Sequence, residues 1–260
     1  MSTTRTEILA EGVTLHMGDC RDVLPTLPRA DAVITDPPYN VRDDQDWDRK
    51  SDVEMAHLCM EWVAGASRIA DEIITFDSGY SPLRRTLEAL WPRVRVLIWD
   101  KPAGSQYAGS SERGMWFAHE PIYHCYRPNL EKSLAVDSAA EFRDVLSHRT
   151  VSGAVHPCQK PISLMTELIR CTSATPLILD PFMGSGTTGV AAVQLGRQFV
   201  GIEIDQKYFD IARRRISDAL ARPDLFIKPP PRSEKPMELN FADRIRDPVN
   251  GLFASATGRP

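Results

Sequence analysis

The sequence predicts an α/β fold built on a mostly parallel sheet, and three features carry that expectation. Short apolar runs of strand length, among them Ala32 to Thr35, Leu177 to Leu179 and Phe199 to Ile204, alternate with stretches whose apolar residues recur at helical spacing. In Asp180 to Gly189 a strand end, a glycine-rich turn and a helix start follow one another, the layout of a nucleotide-binding unit. The length, 260 residues, suits one sizeable domain with an insertion.

Taken in order, Met1 to Glu11 is polar with no apolar core segment. Val13 to Met17 alternates as a short strand ending at Gly18-Asp19-Cys20, and Arg21 to Leu27 forms a brief helix stopped by Pro28. With the strand Ala32 to Thr35 this reads as a parallel βαβ unit that puts Asp19 and Asp36 on one edge of the sheet. Open α/β sheets bind their ligands on that edge. Asn40 to Lys50 is an acidic, polar loop with Trp47 among aspartates. A helix over Ser51 to Ala70, a strand over Glu72 to Phe76, a helix over Pro82 to Leu90 and a strand over Val94 to Trp99 follow, the last running into Asp100-Lys101-Pro102. Ala103 to Arg113 is a Gly- and Ser-rich loop, and Glu120 to Tyr126 is a further strand.

Arg127 to Val155 has little pattern and reads as a surface excursion or a recognition insert. Pro161 to Cys171 is a helix with Pro161 in its first turn. After the glycine turn come a helix over Val190 to Leu195, the strand Phe199 to Ile204 and an amphipathic helix over Gln206 to Leu220, whose Arg213, Arg214 and Arg215 read as a solvated face. The domain so drawn is 1–222, and 223–260 is a proline-rich, charged tail.

Composition narrows the function classes. A net charge of -4 does not mark a polyanion binder, so any nucleic-acid contact has to be local. The five cysteines are odd in number and contain no CxxC pair, which points to reduced thiols in a cytoplasm and to no zinc site. No apolar run reaches the length that spans a bilayer, and no membrane role is expected.

The stretch around which the chain is organised is Asp36-Pro37-Pro38-Tyr39. A nucleobase amine is a poor nucleophile because its lone pair is delocalised into the ring. A carboxylate such as Asp36 accepts one amine hydrogen and the Pro37 carbonyl the other, which together push the lone pair out of the ring plane. Tyr39 offers a face for a flipped base, an interaction of roughly 1 to 3 kcal/mol, and Pro37 and Pro38 stiffen the loop. An ordinary strand-ending turn has the same composition, so the tetrapeptide alone does not decide.

Gly184, Gly186 and Gly189 satisfy GxGxxG, which makes a nicotinamide or flavin dinucleotide the rival ligand. Asp180 before the glycines would repel a pyrophosphate but suits the ammonium of an amino acid, and the hydroxyls of Thr187 and Thr188 suit a carboxylate at the helix start. Glu203 closes the next strand where such folds carry a ribose-binding acid, roughly 20 residues beyond the glycines. An amino-acid end and a ribose together describe S-adenosylmethionine.

With these residues in view the chain resembles the β-class amino-group DNA methyltransferases, the permuted group in which DPPY precedes the cofactor-binding glycine motif. LHMGDCRDVLPTLPRADAVITDPPYN resembles the family's opening, IWDKP and HEPIYHCYRP its middle, HPCQKPISLMTELI the lead into the glycine turn, and LILDPFMGSGTTGVAAVQLGRQFVGIEIDQKYFDIARRRI its close. The resemblance implies a Rossmann-like, circularly permuted methyltransferase sheet with helices on both faces. It implies that Asp36 and Pro37 bind the target amine, with Pro38 beside them and Tyr39 stacked on the flipped base. It further implies that S-adenosylmethionine is held by Phe182, Gly184, Ser185 and Gly186, with Asp180 and Thr187 near its methionine end, Glu203 on its ribose, and Asp19 on its adenine with Cys20 adjoining. Lys160 and Pro161 would bracket the methionine pocket from the other side.

In this family an aspartate opening the tetrapeptide goes with adenine N6 and a serine with cytosine N4, so Asp36 favours adenine. Double-stranded DNA is the expected substrate, and a homodimer and a cognate restriction nuclease are partners compatible with the resemblance, in a bacterial or phage-encoded cytoplasmic protein. The short Arg127 to Val155 region implies a small recognition insert, Trp47 is placed to close over a flipped base, and Arg84, Arg85, Arg93 and Arg95 are candidate phosphate contacts. Alternatives are a cytosine-N4 or RNA-base enzyme, a catalytically silent DNA-binding protein of the same fold, and a dinucleotide oxidoreductase.

Overall fold

A computed structural model describes residues 5–39, 50–78, 81–102, 118–128, 143–156, 158–172 and 177–222. Along the chain these form β1 (Arg5–Ala10), β2 (Val13–Met17), α1 (Cys20–Val23), β3 (Ala32–Thr35), α2 (Asp52–Ile69), β4 (Glu72–Phe76), α3 (Leu83–Leu90), β5 (Arg93–Asp100), β6 (His119–Tyr126), β7 (Val145–Ser147), α4 (Ile162–Cys171), β8 (Leu177–Asp180), α5 (Thr187–Gln194), β9 (Gln198–Glu203) and α6 (Gln206–Ala221). Trp47, residues 129–142 of the expected recognition insert and the tail from 223 lie outside the described residues. Among the described residues no helix is long and apolar enough to cross a membrane.

Period-two alternation in the central strands sends neighbouring side chains to opposite faces, and each face meets its own set of helices. Ala32 and Ile34, Ile74 and Phe76, and Ile178 pack with Leu164, Leu168, Val190, Phe209 and Ile216 of α4, α5 and α6. Val33, Ile73, Leu179 and Ile202 pack instead with Val23, Leu58, Trp62, Val63, Leu83 and Leu87 of α1, α2 and α3. Each large side chain so buried stabilises the fold by about 1.5 to 3 kcal/mol. The longest helix, α2, starts where Ser51 accepts from the Glu54 amide while the Glu54 carboxylate accepts from the Ser51 amide, a reciprocal cap that satisfies two end donors.

The strands form one sheet in the order β1-β2-β9-β8-β3-β4-β6-β5-β7. The run β2, β9, β8, β3, β4 is parallel throughout, while β6 is antiparallel to both β4 and β5. This is a mostly parallel, Rossmann-like sheet with helices on both faces. It is circularly permuted, because the strand that feeds the glycine turn, β8, lies more than half a chain after its neighbour β3.

Three expectations are corrected. β2 and β3 are not adjacent, because β9 and β8 enter between them. The polar N-terminus contributes β1, an antiparallel edge strand joined to β2 across Gly12, whose φ of 77° makes the tight reversal possible. The region read as an unpatterned insert supplies β7, a three-residue strand parallel to β5. A strand with two outward-facing residues at an edge shows no periodicity long enough to read.

Candidate active site

Parallel pairing sets the site. β3 registers with β8 through Ala32 with Ile178 and Val33 with Leu179, so Asp36 and Asp180, far apart in sequence, emerge at neighbouring strand ends, and Glu203 emerges from β9 on the other side of β8. The Thr35 hydroxyl donates to Asp180 Oδ1 at 2.7 Å, tying the two ends together, and the Phe182 amide donates to the same oxygen at 3.1 Å. Burial pushes Asp180 up to about 6, against the pull of hydrogen bonds from Thr188, Thr35 and the Phe182 amide.

The turn after β8 is held in a left-handed path at Gly184 (φ 50°) and Gly186 (φ 78°). A Cβ on Gly186 would stand 2.8 Å from the Ala212 Cβ of α6, so the turn lies directly on that helix. Gly186→Ala therefore meets both a left-handed strain of about 1 to 2 kcal/mol and an overpacked contact of about 1 to 3 kcal/mol. A fall in thermal midpoint of several degrees, with the cofactor-side affinity reduced in parallel, is the expected result by calorimetry.

Arg215 is not on a solvated face as its arginine cluster implied. Its guanidinium donates to the Ser185 carbonyl at 2.5 Å, the Ser185 hydroxyl at 2.9 Å and the Thr187 hydroxyl at 3.3 Å, bracing the turn from α6. Only Arg213 and Arg214 point away from the turn, Arg213 toward Glu7 and Asp210. On the other side of the turn, Glu203 accepts from the Gly184 amide through Oε2 and from the Asp205 amide through Oε1, each at 2.8 Å. Burial raises Glu203 to about 7 although both amides favour its charge.

Asp36 follows β3 and both its oxygens are engaged. The Lys160 ammonium lies 2.6 Å from Oδ2, and the Tyr39 hydroxyl donates to Oδ1. Burial pushes Asp36 up to about 7; Lys160 works against that shift, and the nearby Glu120 and Asp180 carboxylates add to it. Lys160 also faces Glu120 at 3.3 Å, and Glu120 in turn is paired with Lys101 at 2.5 Å.

These groups wall one crevice of about 840 Å³, its solvent-filled mouth included. Its lining holds Asp36, Pro37, Pro38 and Tyr39 together with Asp180, Phe182, Gly184, Ser185, Thr187 and Glu203, and Lys160 lines it beside Asp36. Four residues expected at the site lie outside its lining. Asp19 caps α1 and is gripped by Arg21 at 2.6 Å, Cys20 is buried against α2, Pro161 caps α4, and Gly186 sits beneath the turn on α6. The lining also includes residues to which the sequence assigned no ligand role. His156 packs on Tyr208 with ring centroids 4.3 Å apart, and Ile204 is an apolar side chain left 61% exposed directly after Glu203. No spacing in the sequence marks either residue, since the exposure of Ile204 and the packing of His156 appear only in the fold.

The chain is similar to known proteins. Residues 30–214 match the family N6_N4_Mtase, described as DNA methylase. The chain is 28% identical to the type II methyltransferase M.HinfI of Haemophilus influenzae, over 84% of this chain and 73% of that one. It is 26% identical to the type II methyltransferase M.ScaI of Streptomyces caespitosus, over 78% of this chain and 81% of that one. Among solved structures, a complex of M1.HpyAVI with SAM superposes with a TM-score of 0.59 at 25% identity, covering 77% of this chain and 98% of that one.

Proposed function

The chain belongs to the DNA methylase family N6_N4_Mtase, and on that premise we propose that it methylates the exocyclic N6 amine of adenine in double-stranded DNA, with S-adenosylmethionine as donor. The observation that carries the proposal is the single crevice in which Asp36 faces the glycine turn.

The crevice fits the donor, which is the ligand of the M1.HpyAVI structure. Glu203 uses one acceptor site on each oxygen for the Gly184 and Asp205 amides, and the remaining lone pairs suit two ribose hydroxyls. Ile204 offers an uncovered apolar face for an adenine ring. Thr187 and the first-turn amides of α5, backed by the Arg215 guanidinium, suit a carboxylate. When bound, the cofactor supplies an electrophilic methyl group on a sulfonium, so the reaction is a direct displacement at carbon.

The chain's own residues then prepare the acceptor. Asp36 Oδ1 accepts one hydrogen of the flipped amine in place of the Tyr39 hydroxyl, and the Pro37 carbonyl accepts the other. The Tyr39 ring, released from that bond, stacks on the base. Asp36 receives the proton that the amine loses once its nitrogen is alkylated, and a carboxylate poised near neutrality is suited to take it and return it to water. Asp36 in the first place of the tetrapeptide supports adenine over cytosine, following the family's pattern. The exposed Arg85 is a candidate phosphate contact, whereas Arg84 is held by Glu88 at 2.9 Å and Arg95 lies over the Tyr126 ring.

Duplex DNA incubated with the protein and S-adenosylmethionine, digested to nucleosides and analysed by mass spectrometry, should yield N6-methyldeoxyadenosine. N4-methyldeoxycytidine in its place would overturn the adenine assignment, and methylation confined to RNA would overturn DNA as the substrate.

A further inference from the structure

The resemblance places Lys160 beside the methionine pocket, but its side chain does something else here. Its ammonium is 2.6 Å from Asp36 Oδ2 and 3.3 Å from Glu120 Oε2, with the residue only 6% exposed. The rings of Phe76, Tyr39 and Trp99 surround it at 4.8, 5.6 and 5.8 Å from their centroids. Behind it, Lys101 is 2.5 Å from the other oxygen of Glu120 and 4.8 Å from the Trp99 ring. The four groups come from the end of β3, the segment before α4, β6 and the end of β5, and their charges alternate along one line, with both lysines buried and both carboxylates partly so.

We propose that Lys160, backed by Glu120 and Lys101, is the positioning residue that aims Asp36 at the target amine and sets its charge. The inference rests on the methyltransferase reading for its purpose, but its physical content is independent of it. Four charges drawn largely out of water are a poor way to stabilise a protein, since apolar residues of the same size often do as well or better. They make sense where one of them must stay ionised and directed. Alone in this crevice Asp36 would take a proton and lose its anionic acceptor. Facing an uncompensated lysine it would be too weak a base to receive the amine's proton. Glu120 tempers Lys160, and Lys101 keeps Glu120 charged.

The other titratable groups around the pair are few. Asp180 faces Asp36 from β8, the Tyr39 hydroxyl contacts its Oδ1, and Cys158 faces Lys160 from its own segment. Burial opposes the lysine's charge, yet Asp36 and Glu120 together hold Lys160 protonated well above its usual range. Burial likewise opposes the Glu120 charge, and Lys160 and Lys101 outweigh it.

The design predicts shifts of opposite sign. In Lys160→Met, Asp36 loses its cation and keeps an anion nearby, so its titration moves up. In Glu120→Gln, Asp36 faces lysine charge without the tempering carboxylate, so its titration moves down. The side-chain carboxyl of Asp36, followed by carbon NMR in aspartate-labelled protein and identified through Asp36→Asn, should move by about one pH unit or more in each direction. The acid limb of single-turnover methyl transfer should move with it in both variants. Should Lys160→Met fail to fold, the downward shift in Glu120→Gln alone still decides. Shifts of the same sign, or rate losses with the titration unmoved, overturn the inference and leave a structural role. Correct NMR shifts in a protein that methylates no DNA would instead fail the proposed function and leave the charge line standing.

Discussion

Asp36→Ala abolishes methyl transfer, lowering the single-turnover rate by about 10³-fold or more, while affinity for S-adenosylmethionine stays within about threefold of the parent. The asymmetry follows from where the residue stands. Asp36 ends β3, whereas the turn and Glu203 that line the crevice with it belong to β8 and β9 and keep their own hydrogen bonds when its carboxylate is gone. Asp36→Asn is nearly as damaging, because its amide group would either present N–H to the Lys160 ammonium or turn its N–H toward the incoming amine. Rapid quench of labelled methyl incorporation, paired with calorimetric cofactor binding, separates the two effects. A variant that retains a tenth of the parent rate would remove Asp36 from the role given to it. The parent rate should rise about tenfold per pH unit up to about 7 and then level, since the working form is the carboxylate and burial has lifted its titration to that range.

The sequence made the strands of the sheet centre legible because they are buried on both faces and bounded by acids and glycines, and it made the site legible because its acids fall at strand ends. What it hid was neighbourhood. β2 and β3 are consecutive in the chain and separated in the sheet, since strand order is a property of the whole set. Arg215 looked like its neighbours Arg213 and Arg214, and only the packing of α6 under the turn singles it out. Lys160, Glu120 and Lys101 lie in three separate motifs, and no spacing along the chain announces that their charges meet. Asp19 shows the converse: a strand-end acid by position that folds back onto Arg21 and caps the next helix.

Glu203→Ala should weaken cofactor binding by about 10² to 10³-fold, since the carboxylate is the acceptor for two ribose hydroxyls. A charged hydrogen bond contributes roughly 1.5 to 3 kcal/mol, or about one to two powers of ten. Two such bonds carry most of that loss, and the turn adds to it, because the same carboxylate holds the Gly184 amide in its left-handed path, and without it that donor loses its partner. Glu203→Gln distinguishes the contributions: its one carbonyl oxygen can serve Gly184 or Asp205 but not both, and binding should fall between the two limits. Isothermal titration with S-adenosylmethionine from about pH 6 to 8 adds a second readout. Affinity of the parent should rise with pH as Glu203, lifted by burial to about 7, becomes the acceptor that ribose hydroxyls need, and Glu203→Gln should lose that slope. Folding stability runs the other way. Asp36, Asp180 and Glu203 all titrate higher folded than unfolded, so their contribution is complete at acid pH and is lost as pH rises through about 6 to 7. In the pH range that charges the crevice for binding and transfer these three groups therefore no longer stabilise the unliganded protein, and bound cofactor should offset that loss in thermal midpoint. An equal midpoint gain from the cofactor at about pH 5.5 and at about pH 8 would contradict the coupling assigned to Glu203.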